Sequence, residues 1–263
     1  LRRPLPPKGA LVRILLSPDA AGAGEIAAAL IAESVGGRPA PVLGVATGSS
    51  PQPLYRALTA RVRSGLDLSR AAAFALDEYV GLPVDHPESY HSVIAREVTG
   101  PLGLDPARVH VPEGDSADPA EAAARYEAAI AAAGGVDLQI LGIGANGHIG
   151  FNEPGSAADS RTRVVELAPR TVADNSRFFD GDAGRVPTHA LTQGIGTILD
   201  AREIVLVAWG ESKADAVARA VEGPQTADLP ASFLQRHDHV TLVLDAAAAS
   251  RLGPASLPVE VTR

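Results

Sequence analysis

The sequence predicts a doubly wound α/β fold, one mostly parallel sheet flanked by helices, and three observations predict it. Short runs rich in Val, Leu and Ile alternate along the chain with longer helical stretches, the pattern of βαβ units. A length of 263 residues suits one large α/β domain and is short for two. A composition 46% hydrophobic and 21% charged is that of a globular chain able to bury a sizeable core. Aromatic residues are scarce, so that core falls to Ala, Val, Leu and Ile.

In order, 12–16 reads as a strand and 18–35 as a helix. Residues 41–46 read as a strand ending in Thr-Gly-Ser-Ser, and 51–63 as a helix with Pro51 in its first turn and Ser50 as its cap. Residues 72–76 form a strand that ends in Asp-Glu-Tyr, 88–99 a helix, 108–111 a short strand and 119–133 a helix. Residues 136–141 are a strand running into a glycine-rich loop. After an irregular stretch, 187–199 reads as a helix, 203–208 as a strand, 211–222 and 229–236 as helices, and 240–244 as the last strand. Residues 1–10 read as a disordered tip, and 11–263 as a single α/β domain with a lid-like segment near 154–186.

Composition excludes several classes of function. A net charge of −8 with no Lys/Arg cluster argues against nucleic-acid binding. No apolar run approaches the roughly 18 residues of a membrane span. The absence of Cys removes disulfides, thiolate metal sites and catalytic thiols, and fits a reducing compartment such as the cytoplasm.

In a doubly wound sheet, ligands bind outside the carboxyl ends of the strands, and the polar clusters of this chain fall there. The first is GVATGSSP (44–51). Free N–H groups at a helix start, with the hydroxyls of Thr47, Ser49 and Ser50 around Gly48, suit a phosphate. The loop lacks the lysine of a P-loop, and an ordinary capped turn explains it equally well. The second is ALDEYVG (75–81), where Asp77 or Glu78 could serve as a general base if burial tunes its pKa. The third is GIGANGHIGFNEPG (142–155), with four glycines in nine residues and Asn146, His148 and Glu153 close together. Histidine suits proton transfer near neutrality, and Glu153 could orient it. A metal is disfavoured, because His148 has no ligand-spaced partner. Arg161, Arg163, Arg170 and Arg177 mark the stretch 156–179; Arg177 and Lys213 are candidate phosphate ligands.

Together these motifs resemble the glucosamine-6-phosphate deaminase family. The resemblance rests on TGSSP (47–51), LDEYVGLPVDHPESY (76–90), GIGANGHIGFNEP (142–154), SRTR (160–163), DNSRFF (174–179), ALTQGIGTILDA (190–201) and GESK (210–213), in that order. It implies a Rossmann-like sheet of the sugar-phosphate isomerase type. It also implies conversion of glucosamine 6-phosphate and water to fructose 6-phosphate and ammonia, with no cofactor and no metal. By the same resemblance, Asp77 is the base that moves a proton between C2 and C1, and His148 the ring-opening shuttle. Asn146 and Glu153 would orient His148, while Thr47, Gly48, Ser49, Ser50, Arg177 and Lys213 would hold the phosphate. The expected partner is a small-molecule sugar phosphate, with a homo-oligomer left open. Activated relatives carry a basic residue and a Thr after SRTR. Here Val164, Val165 and Glu166 follow Arg163, which implies loss of activation by N-acetylglucosamine 6-phosphate.

Two rivals stand against this reading. A 6-phosphogluconolactonase is similar around the Gly-His loop, but typically follows the His with Thr, Ala and Ser, where this chain has Ile149, Gly150 and Phe151. A non-catalytic sugar-phosphate sensor would be expected to carry a DNA-binding module and to lack an intact Asp77, His148 and Glu153.

Overall fold

Val42–Val45 and Leu138–Leu141 are buried at every residue, so each must be covered on both faces, as in the interior of a helix-flanked parallel sheet. The computed structural model, which describes residues 12–257, shows that arrangement. The expectation for 1–10 lies outside the described residues.

In chain order the strands are β1 (Arg13–Ser17), β2 (Val42–Val45), β3 (Ala72–Ala75), β4 (Asp77–Tyr79), β5 (Val109–His110), β6 (Leu138–Leu141), β7 (Arg163–Glu166), β8 (His189–Thr192), β9 (Glu203–Ala208) and β10 (Val240–Asp245). Seven of them form one sheet in the order β1-β10-β9-β6-β2-β3-β5, with every neighbouring pair parallel. From β2 the chain builds outward through β3 and β5. It then returns with β6 to the other side of β2 and builds outward again through β9 and β10. The direction therefore reverses between β2 and β6, and a crevice opens at their carboxyl ends.

The crossover helices form where the sequence caps them. Asp19 accepts the N–H of Gly22 at 2.8 Å and starts Ala20–Val35. Asp118 accepts from Ala120 and Glu121 and starts Pro119–Ala132. Small residues let Ala20–Val35 approach Gln52–Arg63 closely: a Cβ on Gly24 would lie 2.5 Å from the carbonyl carbon of Pro53.

Three expectations are corrected. The segment 187–199 is not one helix. Residues 189–192 form β8, which pairs antiparallel with β4 and β7 in a second, three-stranded sheet, and only Ile195–Leu199 is α-helical. Pairing on both edges outweighs local helix propensity there. Second, the strand 72–76 does not simply end in a loop: after Ala75 the chain leaves the large sheet and Asp77 opens β4. Third, Ser50 does not cap Gln52–Arg63. Pro51 occupies the cap position and no side chain accepts from the first turn.

The segment 154–186 is more ordered than its polar sequence suggests. It contains β7 and the helix Pro169–Asn175. It also closes a small core of Tyr79, Phe151, Leu167, Phe179, Val186 and Ala190, separate from the main one. Among the described residues no helix is long and apolar enough to cross a membrane.

Candidate active site

A cleft of about 490 Å³ opens at the β2–β6 crevice. Its walls include Thr47, Gly48, Ser49, Ser50, Asp77, His148, Arg177 and Lys213. Eight of the ten residues singled out from sequence thus meet in one cavity; Asn146 and Glu153 stand behind His148.

The loop after β2 is anchored at its base. The Tyr55 hydroxyl accepts the Ala46 N–H at 3.0 Å and donates to the Ala46 carbonyl at 2.8 Å. Gly48 then turns the chain with φ of 88°. The absence of a side-chain cap on Gln52–Arg63 leaves the first-turn N–H groups without that internal acceptor.

Asp77 and Glu78 separate because successive side chains of a strand point to opposite faces. Asp77 faces the cleft and is 5% exposed. Burial, and then the charge of Glu78, push its carboxyl up to about 8. Glu78 turns away. It accepts the N–H groups of Tyr79 (2.8 Å), Tyr90 (2.9 Å) and His91 (2.8 Å) and so holds the start of helix Tyr90–Ile94. Glu78 is accounted for by structure, Asp77 is not.

The glycine-rich loop brings its backbone close to two of these side chains. The His148 ring lies against Gly144, where a Cβ would come 2.3 Å from Cε1. Gly150 sits at φ 55°, and a Cβ there would lie 3.0 Å from Thr192 Oγ1 and 3.3 Å from Asp77 Oδ2. Behind His148, the Asn146 amide donates to Glu153 Oε2 at 2.8 Å, and Asn146 Oδ1 accepts the His148 backbone N–H at 3.2 Å. Glu153 Oε2 stands 3.7 Å from His148 Nδ1, an ion-pair separation too long for a hydrogen bond. Nδ1 is buried without a hydrogen-bond partner. Glu153 Oε1 accepts the hydroxyl of Thr171. Burial would raise the Glu153 carboxyl, but His148, Thr171 and Asn146 outweigh it and hold the carboxyl down at about 2. Glu153 is therefore a fixed anion.

Positive charge collects at another part of the wall. Lys213 is pushed below the ordinary lysine range by burial, then by the charge of Arg177, with a smaller push from Arg170 and a counter-effect from Asp174. Arg170 also lines the cleft, and the Arg177 guanidinium lies 4.7 Å from the Phe178 ring centroid. This local cation cluster is what an acidic protein needs to hold an anionic ligand. Arg161 and Arg163 are elsewhere. Arg161 pairs with Glu127 (2.7 Å) and Asp200 (2.6 Å). Arg163 donates to Asn152 Oδ1 at 2.9 Å and Ser156 Oγ at 3.1 Å.

Thr171, Tyr79, Tyr90 and Asn175 also line the cleft and were not anticipated. Tyr79 Oη accepts from Asn175 Nδ2 at 3.0 Å, and burial pushes its phenol up to about 12. Tyr79 and Tyr90 stand in the motif 76–90 and Asn175 in 174–179; for Thr171 the one signal was its spacing, one helical turn before Asn175. Among the described residues no group of three or more His, Asp or Glu is arranged to hold a metal ion.

Residues 20–243 match the family model described as glucosamine-6-phosphate isomerases/6-phosphogluconolactonase. A protein of Streptomyces avermitilis named glucosamine-6-phosphate deaminase is 57% identical over 242 residues, covering 92% of this chain and 93% of its own. Another of that name, from Bifidobacterium longum subsp. infantis, is 52% identical over 250 residues, covering 91% and 92%. Among solved structures, a monomeric glucosamine-6-phosphate deaminase superposes with a TM-score of 0.88 at 39% identity, covering 91% of this chain and 99% of its own. A 6-phosphogluconolactonase from Trypanosoma cruzi superposes with a TM-score of 0.74 at 22% identity, covering 92% and 97%, a likeness of fold alone.

Proposed function

We infer the reaction from one premise: the chain belongs to the glucosamine-6-phosphate isomerase/6-phosphogluconolactonase family. Within it, the chain is a glucosamine-6-phosphate deaminase, an enzyme of amino-sugar metabolism that converts glucosamine 6-phosphate and water to fructose 6-phosphate and ammonia. In terms of bonds, it hydrolyses a carbon–nitrogen bond after an aldose–ketose isomerisation. The observation that carries the residue assignment is the division of acid–base groups in one cleft. Asp77 is buried with its carboxyl raised to about 8, and His148 is backed separately by the Glu153 anion.

Each group then has one task. Ring opening needs a proton taken from the C1 hydroxyl and one delivered to the ring oxygen; His148 performs this exchange, with Glu153 stabilising its charged form. In the open aldehyde, Asp77 removes the proton on C2. The electrons form a C1–C2 double bond while the aldehyde oxygen takes up a proton from the C2 ammonium group, giving a neutral enolamine. Asp77 returns its proton to C1 and leaves a protonated imine at C2. Water adds to that imine, and ammonia departs as the C2 carbonyl forms. Thr47, Gly48, Ser49, Ser50, Arg177 and Lys213 hold the phosphate, whose binding energy positions C1 and C2. The helix Pro169–Asn175 and the residues around it form the lid, which excludes water from the enolamine.

The test is an assay of ammonia and fructose 6-phosphate from glucosamine 6-phosphate, with Asp77→Asn run beside the unmodified protein. Stoichiometric products from the unmodified protein and a loss of about a hundred- to ten-thousandfold in the variant are expected for removal of an essential base. Hydrolysis of 6-phosphogluconolactone with no release of ammonia would favour the lactonase reading instead.

A further inference from the structure

Trp209 is the single tryptophan of the chain, and it takes no part in the proton transfers at Asp77 and His148. It follows directly on β9, lines the cleft, and stands four residues before Lys213. Its indole Nε1 donates to the Ser50 backbone carbonyl at 3.2 Å. Ser50 belongs to the loop after β2, and β6 lies between β2 and β9 in the sheet. At about 4.8 Å per strand step, the two loops start roughly 10 Å apart. The indole therefore spans the end of β6 as a long, rigid side chain with a donor at its far edge. Gly142, just past the end of β6, leaves the room: a Cβ there would lie 3.1 Å from Ser50 Cβ. Trp209 is itself held from behind. The next N–H, that of Gly210, bonds both carboxylate oxygens of Asp245 at 3.0 Å, and Asp245 Oδ1 also accepts from Ala248 at 2.7 Å.

We propose that Trp209 is a positioning residue that fixes the spacing between the Thr47–Ser50 loop and Lys213, and so sets the affinity for the phosphate of the substrate. The inference rests on the reading of these two segments as the phosphate site. The Nε1–Ser50 bond keeps the free first-turn N–H groups of Gln52–Arg63 and the Lys213 ammonium at the separation a single phosphate bridges. Without it the two loops relax independently, and binding loses pre-organisation while the groups that move protons are untouched.

The experiment compares the unmodified full chain with Trp209→Phe, which keeps an aromatic ring and removes the donor. Inorganic phosphate is titrated calorimetrically into both, and KM and kcat for glucosamine 6-phosphate are measured. Loss of one pre-organising hydrogen bond predicts phosphate affinity and KM each weaker by about three- to tenfold, with kcat within about twofold. Indole emission of the unmodified protein should change saturably with phosphate, with the calorimetric midpoint. Unchanged phosphate affinity in a folded Trp209→Phe overturns the proposal. If that variant does not fold, emission decides: no phosphate-dependent change in the unmodified protein overturns it, and a saturable change upholds it. Phosphate binding that weakens in the variant, in a protein that releases no ammonia, upholds the clamp and sinks the deaminase assignment.

Discussion

The Asn146 amide donates to Glu153 Oε2 at 2.8 Å while the Asn146 carbonyl oxygen receives the backbone N–H of His148. One side chain thus fixes both partners of the pair behind the imidazole, and it does so because it is an amide. An aspartate can accept the His148 N–H but has no donor for Glu153.

Asn146→Asp therefore sets two carboxylates at hydrogen-bond distance, and one of them must hold a proton. Glu153, now held down at about 2, loses a donor and gains a like charge, so its carboxyl rises, though it stays far below the pH at which Asp77 ionises. The imidazole is then less well held, and kcat/KM falls about tenfold across the pH range while its rise near pH 8 stays in place. A profile that coincides with that of the unmodified protein excludes this role for Asn146.

Asp77 makes the opposite electrostatic case. Its carboxyl is raised to about 8 in the folded chain, against about 3.9 in an unfolded one. Between these values the unfolded state releases a proton that the folded state keeps. The protonated side chain thus favours the fold below about pH 4, and this contribution is lost as pH rises towards 8. Asp77→Asn removes the penalty of a buried anion. It should raise the melting temperature at pH 8 by about 3 °C or more, with little change at pH 4. On the proposed mechanism the same ionisation governs catalysis, so kcat/KM of the unmodified protein should climb through an apparent pKa near 8 as the base ionises. Equal melting shifts at both pH values would show that Asp77 does not titrate in this range.

Gly144 is a steric requirement of the His148 ring. A methyl group there would stand 2.3–2.5 Å from Cε1, Nδ1 and Nε2, so Gly144→Ala must displace the imidazole. Since a misplaced catalytic group costs on the order of a hundredfold, kcat should fall by about that factor. Binding of inorganic phosphate, which does not use the imidazole, should stay within about twofold. A fully active Gly144→Ala would mean that the ring need not lie where it does.

What the sequence made legible, and what it did not, follows from the range of the interactions. The seven parallel strands are short apolar runs between helices, and each declares itself locally. Asp77, His148, the loop 47–50 and Lys213 fall at or just past strand ends, where the fold rule places ligands, whereas Arg177 comes from the turn after Pro169–Asn175. By contrast β4, β7 and β8 have three or four residues each and exist because they pair with one another across large gaps in the chain. The helical reading of 187–199 failed for that reason. Glu78 and Asp77 looked equivalent in sequence. Only the direction of β4 and the N–H groups of Tyr79, Tyr90 and His91 separate them. Thr171 carried no signal beyond its spacing from Asn175, since its hydroxyl acquires meaning only beside Glu153.

That contact yields the last prediction. Thr171 donates to Glu153 Oε1, and Asn175, one turn along the same helix, donates to the Tyr79 hydroxyl at 3.0 Å. Residues four apart share a helix face, so Pro169–Asn175 docks on the cleft through these two bonds while its flanks present Arg170 and Arg177 to the cavity. Thr171→Val keeps the shape and deletes the hydroxyl. Hydrogen bonds to charged groups contribute about 1.5–3 kcal/mol, so kcat/KM should drop roughly ten- to a hundredfold. The Glu153 carboxyl should rise from about 2 as it loses a donor. Amide exchange over residues 169–175 should quicken, because the helix loses one of its two anchors. Thr171→Ser, which restores a donor, should recover most of the activity and the slow exchange. Recovery of one without the other would separate the orientation of Glu153 from the docking of the helix, and full activity in Thr171→Val would remove Thr171 from the account.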